Sequence, residues 1–551
     1  MIFSTIFNFF LLLSIIGYSY LYKNIFKKTD TNISNLDTLY GILVLFFLSL
    51  IINFFFPLKY FFYTITLIGF FSFVVGFYKK KINLNLFFYF IIIFFYIFII
   101  YYHGDNEDSP MYHLQIIKWI YNEKIVFGLP NLEIRFGDNS LWFNFLSMFQ
   151  FKFNYFNSIY TINILPFTIL TYEIINHRRR LSYIFLSLSL SFLFFFSFLH
   201  PFRNGVILNH LHNPELDTVA MVFFILSFYL FLNFFEKKNL KAFNFLLISS
   251  VICFFVKLSY LGVLFFPLIV FLLFYTKKIK ELLLDKTNIF ILLIIILWLF
   301  KNFLVSSCLI FPISITCFNV GWSVGVDEIE KYSHVVKGFA RDTRERLRYL
   351  DFEHTIYSFN WLLPWIKDYA MNTALLKISF FSTFISFLLL LILNFFKNIQ
   401  NILIKEKKTY LIIFLCLMFN IIIWFQAPEI RFGWGSIISL ACFPLSILIF
   451  HNKLNKIINP KIYRYLTIFF IIILIIDNKK NFNFKNLLSP YGKNFSYTQI
   501  KKFYSTEEKD FYQSLNRKCF DFKEICVNTV KEKYSFNEKY GYLIFLNNIA
   551  N

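Results

Sequence analysis

Three acidic residues follow the end of a long apolar segment, where a membrane protein could act on a lipid headgroup. The stretch LNLFFYFIIIFFYIFII ends at residue 100 and is long enough to cross the hydrocarbon core of a bilayer. Asp105, Glu107 and Asp108 come shortly after it. A carboxylate beside a reacting hydroxyl can accept its proton, so these acids could supply a general base. A solvated loop that ends in a helix cap would account for the same residues without any chemistry.

An amphipathic helix is predicted directly after these acids. Ser109 and Pro110 are typical of the N-cap and the first helical position. In the following MYHLQIIKWIY, Leu114, Ile117 and Tyr121 share one face at helical spacing. The pattern indicates a helix lying on the membrane surface, with an acid at its positive end.

Composition places the chain among polytopic membrane proteins. Of its 551 residues 58% are hydrophobic and 16% are charged, and the mean hydropathy is +0.60. A soluble core could not absorb this much apolar surface. The formal net charge of +22 comes from short basic clusters between apolar runs. Such clusters set membrane topology, so we find no sign of a nucleic-acid groove.

The predicted fold class is an all-α integral membrane protein with about fourteen transmembrane helices. The predicted spans are 2–21, 38–56, 60–77, 85–102, 155–175, 182–199, 216–235, 243–257, 259–275, 288–305, 375–395, 409–425, 432–450 and 462–477. With these spans the basic clusters all fall on one side, which the positive-inside rule makes cytoplasmic. The acidic loop, the other motif loops and both termini then face outward. The segment 139–151 is too short to span and is predicted to be re-entrant or interfacial.

Three outward regions are predicted between the spans, at 103–153, 200–215 and 306–372. The third contains a mixed-charge segment with helical periodicity, which predicts a surface helix. The tail 478–551 is polar and is predicted to be external. On an oxidising face, Cys308 could pair with Cys317, and Cys519 with Cys526; the tail pair is the stronger prediction because it closes a small loop in a soluble segment.

The order of several motifs resembles that of GT-C glycosyltransferases, polytopic enzymes that take sugars from polyprenyl-phosphate carriers. It is most similar to a bacterial family of uncharacterised GT-C-like membrane proteins. The matching segments are DSPMYHLQIIKW at 108–119, GLPNLEIRFGDNSLWFN at 128–144, NPELDTVAMVFF at 213–224, FFVKLSY at 254–260, WLFKNFLVSSCLIFP at 298–312 and APEIRFGWG at 427–435. The chain departs from that pattern at Ser307, where a glycine is usual, and in three additional spans before the acidic loop.

The resemblance implies four regions. They are extra N-terminal transmembrane helices at 1–84, a GT-C-like core at 85–450, a last helix at 451–477 and the external tail at 478–551. It further implies transfer of a sugar from a polyprenyl-phosphate carrier to a glycan, lipid or protein acceptor, on the outer face of a bacterial cytoplasmic membrane.

Within that reaction the acids and the cations have separate expected roles. Asp108 is the expected general base, and Glu107 and Asp217 are the other expected catalytic acids. Asp217 begins a span, where an unpaired carboxylate is costly, and should therefore face a polar cavity. Asp105 could bind substrate or, with Asp108, a divalent cation such as Mg²⁺ or Mn²⁺. No other metal or cofactor is expected.

The leaving lipid phosphate calls for cations near the membrane plane, and Lys257, Lys301 and Arg431 each lie at the outer end of a span. Alternatively, each of these three side chains could extend along the helix to place its charge at the membrane interface, without binding a phosphate. The remaining expected substrate-binding residues are Tyr112, His113, Arg135, Asn139, Trp142 and Asn302, with Trp142 stacking on a sugar ring.

Other function classes stay open at this point. A polysaccharide polymerase or ligase would share much of this chemistry. A transporter or lipid-carrier flippase would need charges or broken helices at mid-bilayer, whereas the acids here cluster near one surface. A non-catalytic membrane assembly protein would tolerate the loss of Asp108.

Overall fold

A computed structural model describes residues 1–26, 32–100, 108–153, 156–175, 180–199, 210–341, 356–394, 397–451, 500–505, 510–515, 519, 525–527 and 534–547. Most of these residues are helical. The α-helices are α1 Ile2–Ile25, α2 Thr38–Phe55, α3 Phe62–Tyr78, α4 Leu86–Ile100, α5 Leu114–Asn122, α6 Leu141–Met148, α7 Ile164–Ile175, α8 Leu181–Leu199, α9 Asp217–Lys237, α10 Leu240–Val256, α11 Phe265–Val270, α12 Ile279–Leu283, α13 Lys286–Ser306, α14 Val326–Arg341, α15 Leu362–Pro364, α16 Ala374–Asn394, α17 Lys397–Trp424 and α18 Ile430–His451.

Several helices are apolar and long enough to cross a membrane. Within the described residues there are six such segments: Ile2–Ile25, Asn35–Phe55, Asp217–Lys237, Leu258–Leu283, Lys286–Ser306 and Ile430–Phe450. A seventh is obtained if Leu362–Ala370 and Leu375–Leu389, which are bent by 98° at their junction, form one broken span. Shorter apolar helices occupy Phe62–Tyr78, Leu86–Ile100, Ile164–Ile174, Leu181–Phe194, Leu240–Val256 and Lys408–Trp424. The structure supports a multi-pass membrane protein, and the number of about fourteen spans stays a prediction.

The predicted start of the span at 155–175 was wrong. Lys152–Phe153 (β1) and Phe156–Asn157 (β2) form a short antiparallel pair. A 3₁₀ turn follows at Ser158–Tyr160, and α7 begins only at Ile164. Asn157 caps the turn, since its side chain accepts a hydrogen bond from the Ile159 amide. Apolar residues in this turn extended the hydropathy signal beyond the helix itself. The span predicted at 462–477 lies outside the described residues.

The N-terminal helices pack into the rest of the bundle. Gly17 on α1 and Gly69 on α3 face each other so closely that a Cβ on Gly17 would lie 1.8 Å from the Gly69 carbonyl oxygen. Small residues allow this approach of two helix backbones. On α2, Phe46 contacts the rings of Trp142 and Phe145 on α6. Residues 1–84 and the segment that follows α4 therefore share one hydrophobic core, and the predicted boundary at residue 84 stays a prediction.

The described part of the tail consists of strands, which were not predicted, whereas the rest of the described chain is mostly helical. The strands β3 Ile500–Ser505 and β4 Asp510–Ser514 pair antiparallel, and β5 Ile525–Val527 pairs parallel with β4. The strands β6 Tyr534–Lys539 and β7 Tyr542–Asn547 form a hairpin. Its two-residue turn, Tyr540-Gly541, has φ values of 56° and 71°. Positive φ at both positions is what a tight hairpin turn needs, and Tyr-Gly signals it less strongly than Asn-Gly does.

The tail contacts the loop that carries Asp108. The Phe127 amide donates to the Leu543 carbonyl at 2.9 Å, and the Phe545 amide donates to the Phe127 carbonyl at the same distance. The Cys519 amide donates to the Pro110 carbonyl, also at 2.9 Å. The described strands of the tail therefore lie at the same end of the helices as Asp108, which we call the loop end. The other residues that define the loop end are Asp217, Lys257 and Arg431.

Both expected cysteine pairs are disulfides in the structure. We expect Cys519 and Cys526 to resist a membrane-impermeant maleimide in intact oxidised cells and to react after reduction. Cys253, Cys416 and Cys442 are buried free thiols, and Cys308 and Cys317 form the other disulfide. Replacement of these five residues by alanine leaves only the tail pair to be labelled. Reaction of both tail cysteines without reductant would contradict the pairing.

Orientation can be tested with reporter fusions. If the basic clusters set topology, a reporter fused after Lys408 should be cytoplasmic and one fused after Lys485 should be external. A phosphatase that is active only outside the cytoplasm and a fluorescent protein that matures only inside it would read the two positions. Both reporters on the same side would contradict the predicted spans.

Candidate functional site

An ion pair at the loop end joins two residues that are 323 positions apart in the chain. The Nη1 of Arg431, near the start of α18, donates to Oδ2 of Asp108 at 2.7 Å. Glu429 approaches the same guanidinium, with Oε1 at 3.5 Å from Nε. The side chains of Arg431 and Asp108 are 13% and 29% exposed. The pair is therefore shielded from bulk water, yet its acid is open to a ligand.

The start of the helix after Asp108 differs from the prediction. Asp108 itself is the N-cap residue, and Ser109 is the first residue of a π-helical turn at Ser109–His113 that leads into α5. The Asp108 carboxylate makes no hydrogen bond to this turn. It points to Arg431 instead. The acid that was predicted to lie at the positive end of this helix thus has a tertiary partner.

Burial by itself raises the pKa of Asp108, but the charge of Arg431 and its hydrogen bond act in the opposite direction, and the net effect is a lowered pKa. Asp108 is therefore ionised at neutral pH. The neighbouring His113 is buried, and burial lowers its pKa to about 4, so the imidazole is neutral. Its Nδ1 has no hydrogen-bond partner in the described part of the chain.

A second ion pair lies beside the first. Lys257, at the end of α10, donates to Oδ1 of Asp217, the first residue of α9. Its ammonium lies 4.4 Å from the ring centroid of Phe432, and Phe432 directly follows Arg431. Asp217 is buried, as expected of an acid that begins a span and has a charged partner. The charge of Arg431 also acts on Asp217, so the two pairs form one electrostatic unit.

A third pair supports the start of α9. His210 Nδ1 and Glu215 Oε2 are 2.5 Å apart, and both side chains are buried. Burial alone would lower the pKa of His210, but the carboxylate of Glu215 raises it above its ordinary value. The amide of Asn163 donates to the carbonyls of Asn213 and Glu215, at 2.7 and 2.9 Å. These bonds fix the loop that leads to Asp217.

Another group of side chains lies next to Asp108. The guanidinium carbon of Arg135 is 4.8 Å from the ring centroid of Tyr112, and its Nε donates to Glu133 at 2.9 Å. The hydroxyl of Tyr332, on α14, donates to Oδ2 of Asp138 at 3.4 Å. Burial raises the pKa of Asp138 to about 6. Asp138 and Tyr332 were not predicted as site residues. For Asp138 the Gly-Asp-Asn sequence beside Asn139 was the available signal.

Three other expected site residues form a separate polar set around α13. The side-chain amide of Asn139 donates to Asn302 at 2.5 Å, and the indole of Trp298 donates to the Asn139 carbonyl at 2.9 Å. Lys301 is 2% exposed, and its ammonium donates to Asn144 of α6 at 2.5 Å. The structure thus brings Arg431 and Lys257 together, whereas Lys301 is buried against a different helix. Snorkelling of Lys301 to the interface, the alternative considered above, was wrong.

Trp142 cannot stack on a sugar ring in this structure, which corrects that expectation. It is 0% exposed, and its indole N–H donates to Asn163 at 2.8 Å. The ring packs against Phe145 with a centroid distance of 4.7 Å. Its location in a loop suggested an interface, but α6 lies inside the bundle, and all eight residues of this helix are buried.

The proposed metal site can be examined only in part, since Asp105 and Glu107 lie outside the described residues. Among the residues that the structure describes, no group of three or more His, Cys, Asp or Glu side chains could hold a metal ion. One of the two Asp108 carboxylate oxygens, Oδ2, accepts a hydrogen bond from Arg431.

Comparison with known proteins gave one match. Residues 1–438 match the family model of a domain of unknown function, DUF8201. The matched region contains α1 to α4 and every candidate site residue discussed above except the tail cysteines. No curated protein and no solved structure matches the chain.

Proposed function

We propose that this chain, which belongs to the DUF8201 family, is a membrane glycosyltransferase. It moves a sugar from a polyprenyl-phosphate carrier to a cell-envelope glycan, lipid or protein acceptor, on the outer face of a bacterial cytoplasmic membrane. The single observation that carries the proposal is the Asp108–Arg431 ion pair, which stands with the Asp217–Lys257 pair at one end of a set of apolar helices. On this proposal the lipid phosphate binds at that end, beside both the acids and the cations.

The reaction needs both kinds of group. The acceptor hydroxyl oxygen bonds to the anomeric carbon, the bond from that carbon to the phosphate oxygen breaks, and the hydroxyl proton passes to a carboxylate. Asp108 is ionised at neutral pH because its pKa is lowered, so it is ready to accept that proton. Because its pKa is lowered, Asp108 is only a modest base. It is, however, already a carboxylate at neutral pH and need not lose a proton before the reaction.

The phosphate that leaves carries negative charge, and Arg431 and Lys257 are placed to stabilise it. Each cation is held by an acid, Arg431 by Asp108 and Lys257 by Asp217. A cation whose position is fixed beforehand does not have to reorganise as charge develops. Arg431 has five N–H donors, so its bond to Asp108 leaves others for a phosphate.

In the proposed reaction no metal ion takes part in bond formation or bond breaking. Arg431 and Lys257 supply positive charge at the place where a divalent cation would supply it. A role for Mg²⁺ or Mn²⁺ with Asp105 and Asp108 would appear as loss of transfer on chelation and its recovery on adding the metal back.

The test compares the envelope glycans of a deletion strain with those of the wild type. We expect the mutant to lack one glycosyl substituent, and plasmid-borne wild-type protein to restore it. A polymerase or ligase would instead change chain length or attachment while leaving the repeating unit intact. Identical glycan composition and size in both strains would contradict the proposal.

A further inference from the structure

Asp138 takes no part in the proposed reaction, yet the fold holds it firmly beside the reacting groups. Its amide donates to the Arg135 carbonyl at 3.2 Å. The carbonyl of the next residue, Asn139, accepts a hydrogen bond from Trp298 at 2.9 Å. The backbone is thus anchored on both sides, and the Asp138 carboxyl is presented to Tyr332 of α14.

Charged and titratable groups face Asp138 from several elements. Lys257 from the end of α10 and Arg135 from the turn before it both act to lower its pKa, and Tyr332 bonds to it from α14. The charge of Asp138 also acts on Tyr112 of the π-helical turn. Lys257 is bonded to Asp217 as well. This group therefore borders the two ion pairs of the candidate site.

Four of these side chains are partly exposed and lie beside buried residues. Tyr112, Arg135, Asp138 and Tyr332 are partly exposed, whereas the adjacent His113, Phe136 and Gly137 are buried. The four side chains therefore lie at the edge of the packed interior. Two of the four side chains are aromatic. The ring of Tyr112 lies beneath the Arg135 guanidinium, and the ring of Tyr332 stacks on Phe311 with a centroid distance of 5.7 Å.

The donors and acceptors of this group suit one kind of ligand. A carboxyl whose pKa is about 6 is present in both protonation states near neutral pH, and a phenol donates and accepts. A phosphate would be repelled by ionised Asp138, and a cation by Arg135 and Lys257. A neutral hydroxyl both donates and accepts, so it can bond to every member of the group.

We propose that Tyr112, Arg135, Asp138 and Tyr332 form a subsite that binds the hydroxyl groups of a sugar ring beside the Asp108–Arg431 pair. The inference rests on the proposed glycosyl transfer for the role of that sugar, which belongs either to the donor or to the acceptor. Asp138 and Tyr332 position the ring, and the chemistry stays with Asp108.

Binding is tested without requiring turnover. The full-length protein in lipid nanodiscs is mixed with the methyl glycosides of glucose, galactose, mannose and N-acetylglucosamine, one at a time, and binding is followed by saturation-transfer NMR. We expect at least one sugar to bind the wild type. Asp138→Asn and Tyr332→Phe should each weaken its affinity roughly five-fold or more, as expected for one lost hydrogen bond in a shielded site. Lys331→Gln, an exposed neighbour on α14, should bind as the wild type does.

The two sources of the sugar are separated by kinetics. Transfer by the wild type, Asp138→Asn and Tyr332→Phe is measured with polyprenyl-phosphate hexoses as donors and deletion-strain envelope glycan as acceptor. If the variants have a higher KM for the donor than the wild type has, the donor sugar occupies the subsite. If they have a higher KM for the acceptor, the acceptor sugar occupies it. Equal binding by wild type and both variants, or no binding of any sugar to the wild type, would overturn the subsite. A wild type that binds a sugar but transfers none would contradict the proposed function and leave the subsite standing.

Discussion

Asp108→Asn is expected to reduce glycosyl transfer by roughly two or more orders of magnitude while the protein still inserts and folds. Asparagine keeps the size of the side chain and can still accept a hydrogen bond from Arg431. It cannot take up a proton, and it removes the negative charge next to the guanidinium. Glu429, at 3.5 Å from Arg431, still partners the cation, so the start of α18 should remain ordered. The measurement is restoration of the envelope glycan in a deletion strain at matched expression.

Two matched variants accompany this test. Asp327→Asn changes an exposed acid at the start of α14 and should restore the glycan fully. Asp105→Asn should cost less than Asp108→Asn, unless a metal ion bridges the two acids. Full restoration by Asp108→Asn would eliminate the acid–base mechanism, and with it the strongest reason to regard this chain as an enzyme.

Arg431→Ala is expected to reduce transfer by a similar factor for a different reason. The change removes a cation that the lipid phosphate needs, and it leaves the acids Asp108, Asp217 and Glu429 without a shared counter-charge. Burial raises the pKa of Asp108 once Arg431 no longer opposes it. Residual transfer should therefore increase with pH through the raised pKa, because the carboxylate must be ionised to act. In the wild type, whose Asp108 pKa is lowered, transfer should show no such dependence on Asp108 near neutral pH.

Arg431→Lys separates charge from geometry. Lysine keeps the positive charge but lacks the planar fork that reaches Asp108 and a phosphate together. We expect it to retain a pH profile close to that of the wild type, with a raised KM for the polyprenyl-phosphate sugar. If Arg431→Ala transferred normally at neutral pH, both the phosphate role and the importance of the ion pair would be wrong.

The apolar helices could be predicted from the sequence because hydropathy alone identifies them. The predicted spans 2–21 and 38–56 correspond to α1 and α2 within a few residues. Hydropathy failed where apolar residues continue into a turn, as before α7. It gave no prediction for the strands of the tail, since β7, YLIFLN, is a nearly continuous apolar run without the alternation that marks a half-buried strand.

The candidate site was predictable only as separate pieces. Asp108, Asp217, Lys257 and Arg431 were each selected, but a single sequence contains no signal that pairs residues 323 positions apart. Asp138 was missed because its raised pKa follows from tertiary burial. Trp142 was misjudged for the same reason, since whether a loop tryptophan faces a ligand or the core depends on how α6 packs.

The most direct test of glycosyl transfer uses the purified protein. Wild-type protein and Asp108→Asn are reconstituted in liposomes with polyprenyl-phosphate hexoses that are radiolabelled in the sugar, and envelope material from the deletion strain is added as acceptor. We predict that the wild type moves label from the lipid to the acceptor and releases polyprenyl phosphate. Asp108→Asn should do so at a rate that is lower by a factor of roughly a hundred or more. Equal transfer by both proteins, or label that stays on the lipid with the wild type for every donor, would contradict the account.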